Sequence, residues 1–94
     1  MDSFEDLLFG LFNNNRDLSD LVDRDIIGDY TIDTCYTIDQ GYETAIWKGG
    51  GDIVIVQRYP DRKLAESGHK VWCAVCITKP EQVYSVQTER YEIL

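Results

Sequence analysis

The chain of 94 residues contains no apolar run approaching the roughly 18 residues that a membrane-spanning helix needs. Its first ten residues, MDSFEDLLFG, carry no lysine or arginine, so they lack the basic start of a secretory signal. Cysteine is scarce and odd in number, with only Cys35, Cys73 and Cys76, which excludes a complete internal disulfide framework. Reduced thiols fit the cytoplasm, the expected location. There is one histidine, His69, so any Ser-His or Cys-His catalysis must run through it. Basic residues are few where acids are many. Residues 1–39 hold ten acids against Arg16 and Arg24, whereas residues 40–94 hold seven of each sign. With neither part carrying a basic excess, direct nucleic-acid binding is disfavoured, because phosphate contacts need a positive patch. A basic protein partner is allowed.

What the chain does have is the composition of one small globular domain spanning 1–94, with 44% hydrophobic and 12% aromatic residues. Neither a repeat nor a low-complexity linker divides it. Residues 1–25 read as an acidic helical segment. Phe4, Leu7, Leu8, Leu11 and Phe12 recur at helical spacing over 3–13, with Gly10 as a weak point and Asn13-Asn14-Asn15 as the stop. A further helical turn is expected over 16–23, with Leu18, Leu21 and Val22 inward and Asp17, Asp20 and Asp23 facing water.

From Gly28 the period changes from helix to strand. Tyr30, Ile32, Thr34, Tyr36 and Ile38 alternate with Thr31, Asp33, Cys35 and Thr37, which predicts a strand. Asp39-Gln40-Gly41 is turn chemistry, and Tyr42–Trp47 a second strand. Gly49-Gly50-Gly51 has no Gly-Lys-Ser/Thr ending and joins two strands, so it reads as a hairpin turn and not as a phosphate loop. Ile53-Val54-Ile55-Val56 then predicts a central strand within 52–58. Asp61 is the expected N-cap of a helix from about 62 to 79, stopped by Pro80. Its inner side is expected to hold Leu64, Ala65, Gly68, Val71, Trp72, Val75 and Cys76, with His69 and Cys73 on the flank. Residues 82–92 read as a last strand. The fold class is therefore α+β: a mainly antiparallel sheet of about four strands, the long helix on one face, and a β-β-β-α-β core over 28–94 preceded by the short amphipathic helix.

Trp72-Cys73-Ala74-Val75-Cys76 has the letters of a thioredoxin-type redox site. Such a site needs its first cysteine at a helix N-terminus, where the dipole stabilises a thiolate. Here the pair falls near the helix end, so small-hydrophobe packing is the expected role of Cys76. His69, Cys73 and Cys76 share a helix flank at i, i+4 and i+7, and with Cys35 they make a candidate Cys₃His zinc set. No other cofactor is indicated.

Tyr42-Glu43-Thr44 with Trp47, Arg58-Tyr59, and Ala65-x-x-Gly68-His69-x-x-Trp72 together resemble small uncharacterised proteins of tailed bacteriophages and prophages. The resemblance covers about residues 30–77. It implies a bacterial host cell and no cofactor or catalytic residue. The expected function is accordingly non-enzymatic: binding of a protein partner, or self-association, through the acidic N-terminal region. Phe4, Leu8, Leu11, Phe12, Asp17, Asp20 and Asp23 are the candidate contacts, and Asp25 and Asp29 extend the acidic row. The alternatives are a structural zinc module and a thiol enzyme using Cys73.

Overall fold

A computed structural model describes residues 20–94. The expected helix carrying Phe4, Leu8, Leu11 and Phe12, and the acid Asp17, lie outside the described residues. Four strands form an antiparallel sheet in chain order: β1 (Asp20–Ile27), β2 (Tyr30–Thr37), β3 (Gly41–Lys48) and β4 (Val54–Tyr59). The helix α1 (Arg62–Ile77) crosses one face of it. A two-stranded hairpin, β5 (Gln82–Ser85) and β6 (Arg90–Ile93), closes the chain. The α+β class with a four-stranded antiparallel sheet and one covering helix is thus as the sequence predicts. None of the described helices is long and apolar enough to cross a membrane.

Three expectations need correction. Residues 20–23 begin β1 and are not helical, so the sheet starts eight residues before the expected core. Asp20-Leu21-Val22-Asp23 fits either period, and pairing with β2 decides it: Asp23 lies opposite Thr34, Asp25 opposite Ile32 and Ile27 opposite Tyr30. Tertiary pairing overrides local propensity here. The strand expected over 82–92 is instead two short strands, because Glu89 takes a left-handed φ of 60° and its N–H donates to the Ser85 carbonyl at 2.9 Å. The Ser85 hydroxyl accepts from the Gln87 and Thr88 N–H groups and fixes that turn. The hairpin meets β4 through Val86 N–H donating to Ile55 C=O at 2.9 Å. The fourth strand of the main sheet is therefore β1 and not the C-terminal segment.

The third correction concerns the helix. Asp61 caps it as expected, its carboxylate accepting from Leu64 N–H at 2.8 Å. It ends two residues early, at Ile77, because Lys79 turns left-handed (φ 57°) before Pro80, whose ring disfavours helix at the preceding residue. Its buried face is Ala65, His69 and Cys76, with Trp72 partly buried; Leu64 and Val71 are 50% and 59% exposed rather than inward. His69, expected on the flank, is 0% exposed. Gly68 does permit close approach: a Cβ there would collide with the Tyr59 ring.

The apolar core lies between sheet and helix. Tyr30, Ile32, Ile46, Val54, Val56, Cys76 and Val83 form it. Alternation puts Asp33, Cys35, Glu43, Ala45 and Ile55 on the opposite sheet face, where they too are buried. Arg24 Nε donates to Asp33 at 2.8 Å, and Arg58 pairs with Glu43 at 3.5 Å.

Candidate functional site

Strand alternation turns Asp23, Asp25 and Ile27 toward the helix side of β1 and Arg24 and Ile26 away from it. Directly after Gly68, α1 drops His69 into the sheet. The imidazole is held at both nitrogens. Nε2 lies 2.8 Å from Asp25 Oδ2, and Nδ1 lies 2.7 Å from Thr34 Oγ1. Thr34 Oγ1 is 2.6 Å from Thr44 Oγ1, which is 2.9 Å from the Tyr59 hydroxyl. One hydrogen-bonded line thus runs from β1 through α1 to β2, β3 and β4.

The line has a direction. An ionised carboxylate only accepts, so Nε2 carries a proton and donates to Asp25. In the neutral imidazole Nδ1 then accepts from Thr34, Thr34 from Thr44, and Thr44 from Tyr59. Every polar group of this buried row is satisfied, which is what allows it to stand beside an apolar core. Burial pushes the Tyr59 phenol up, against the Thr44 hydrogen bond, which lowers it. The His69 hydrogen bond holds the Asp25 carboxyl below its ordinary value.

Cys73, one turn after His69, places its thiol 3.6 Å from the same Asp25 Oδ2. Burial, and then the Asp25 charge, push that thiol up to about 11. It is protonated at neutral pH and is a poor nucleophile. Asp23 Oδ2 stands 3.8 Å from His69 Nε2. The donor atoms of Asp25, His69 and Cys73 all lie within 4.8 Å of one another.

The expected Cys₃His set is only half assembled. His69 and Cys73 meet, but Cys35 lies on the other sheet face, and Cys76 is sealed in the apolar core, where burial raises its thiol. None of Cys35, Cys73 and Cys76 is joined in a disulfide. Of the expected acidic contacts, Asp20 and Asp23 are exposed on β1. The residue that sequence reasoning missed as a partner of His69 is Asp25. Its signal was the i, i+2 alternation of Asp23, Asp25 and Ile27, obscured by the helical reading of the preceding residues. The short pattern spread over 42–72 also meets in space: Thr44 bonds Tyr59, Gly68 lies against Tyr59, Glu43 pairs with Arg58, and Trp72 Nε1 donates to Gln57 at 2.8 Å.

In comparisons with known proteins, no protein-family model, no curated protein and no solved structure matches the chain.

Proposed function

We propose that the domain is a non-catalytic binding module that takes a basic, extended segment of a protein partner along β1, in the phage or prophage setting that the sequence pattern implies. The observation that carries this reading is the position of the acidic residues. Asp20, Asp23 and Asp25 lie on a strand at the edge of the sheet, with Leu21 and the 70% exposed Ile26 between and beside them. An edge strand offers main-chain groups to an added strand, and flanking side chains select it. The acids select lysine and arginine, and steer the approach over the Debye length.

The chemistry around His69 supports a binding role over a thiol-enzyme role. Both imidazole nitrogens are engaged, and the Cys73 thiol is protonated and bonded to a carboxylate, not to the histidine. A nucleophile–base pair needs the opposite arrangement.

The test is a fluorescence titration of the intact chain with a labelled peptide of alternating lysine and valine, at low and high salt. Binding should weaken with salt and fall at least about tenfold in Asp20→Lys and Ile26→Lys, each of which reverses or introduces a charge at the strand. Binding indifferent to both substitutions refutes the β1 surface.

A further inference from the structure

We propose that Asp25, His69 and Cys73 form a binding site for one divalent transition ion of the zinc class, with Asp23 as a fourth donor. The ligand types fit: carboxylate oxygen, imidazole nitrogen and thiolate sulfur are the donors that zinc takes. Two of the spacings fit as well. Zinc–ligand bonds of about 2.0–2.3 Å set tetrahedral donor–donor separations of roughly 3.3–3.8 Å. Cys73 Sγ to Asp25 Oδ2 is 3.6 Å, and Asp23 Oδ2 to His69 Nε2 is 3.8 Å. The His69–Asp25 contact, at 2.8 Å, is a hydrogen bond that must open slightly. The Asp25 side chain is half exposed, so it can swing without disturbing the core.

The support behind the histidine distinguishes this cluster from a chance surface group. A metal-ligating imidazole is normally held at its other nitrogen, which fixes the ring and its tautomer. His69 is fully buried and held at Nδ1 by Thr34, itself backed by Thr44 and Tyr59, so only Nε2 reaches toward the acids of β1.

The protons balance as follows. The ion takes the Nε2 lone pair, so the imidazole proton moves to Nδ1 and donates to Thr34. Thr34 then donates to Thr44 and Thr44 to Tyr59, reversing the buried row and taking from the Tyr59 O–H its acceptor, Thr44. Cys73 loses its thiol proton to solvent as sulfur bonds the ion. The net release is one proton, and no electrons move.

This inference stands apart from the interaction reading, because no partner enters its test. The intact chain is stripped with chelator, reduced, and titrated with Co²⁺. Saturation at one equivalent is expected, with a thiolate-to-cobalt charge-transfer band and the intense visible bands of tetrahedral cobalt, both erased by one equivalent of Zn²⁺. Cys73→Ser should abolish the charge-transfer band and weaken zinc binding by at least about tenfold. Cys76→Ala and Cys35→Ala should leave the band intact. The His69 ring nitrogens, followed by NMR in the unsubstituted chain, should shift on zinc addition with Nε2 as the ligated atom. Non-saturating binding, an octahedral spectrum without the thiolate band, or unshifted ring nitrogens would each show that the cluster is a hydrogen-bonded clamp only.

Discussion

Gly68 lets the helix lie close against the Tyr59 ring. Gly68→Ala should gain helix propensity of up to about 1 kcal/mol yet lose more through overpacking against the Tyr59 ring, for which roughly 1–3 kcal/mol is usual. Urea unfolding should therefore give a lower midpoint for the alanine variant. Asp25 carries a pH signature. Its carboxyl is held below the ordinary value by His69, so the folded state prefers the ionised form. That contribution is present above the unfolded carboxyl pKa and is lost as pH falls through the folded one. Asp25→Asn should thus be less stable than the natural chain at neutral pH, in chelator, and the Tm difference should shrink on acidification below about pH 4. Both residues were visible as letters. The need for Gly68 to face something close was legible from its place on the inner stripe. That Asp25 would meet His69, 44 residues away, was not, because it depends on the register of one strand and the crossing of one helix.

At the scale of elements, hydrophobic period served well where an element had a single period. The alternation of 30–38 and the apolar run of 53–56 became β2 and β4, and Asp61 with Pro80 bracketed α1. It failed where a segment was short and the pattern fitted two periods. Asp20–Asp23 was decided by the free edge of β2, and the break at 86–89 by a serine hydroxyl and one left-handed glutamate, without glycine or proline to announce it. The end of α1 offers a test. Lys79 holds φ 57°, where a Cβ is strained and glycine is not. Lys79→Gly should therefore raise stability by about 1 kcal/mol, measured as an upward shift in urea midpoint without a change in slope.

For the whole molecule the leading physical fact is charge. A net charge of −8 on 94 residues repels itself in the compact state. Raising ionic strength from about 0.01 M to about 0.15 M shortens the Debye length from about 30 Å to about 8 Å. Tm should rise over that interval, the reverse of what a fold dependent on surface ion pairs such as Arg62–Glu66 would show. The acidic imbalance was fully legible in the sequence. The surface on which it falls was not, since that required β1 to be recognised as a strand.

The row from Asp25 to Tyr59 also has a consequence for the order of events during synthesis. The ribosome delivers β1, β2 and β3 before α1 exists. Until the helix arrives, Thr34 and Thr44 sit at the centre of an incomplete meander with no histidine to complete their row, and a sheet with a polar centre and an uncovered apolar face has little reason to persist. Closing the 44-residue loop between Asp25 and His69 costs chain entropy that only the docked helix repays. Sheet and helix should consequently gain hydrogen-exchange protection together, in one step, making the nascent chain all-or-none: committed only once residue 69 has left the tunnel.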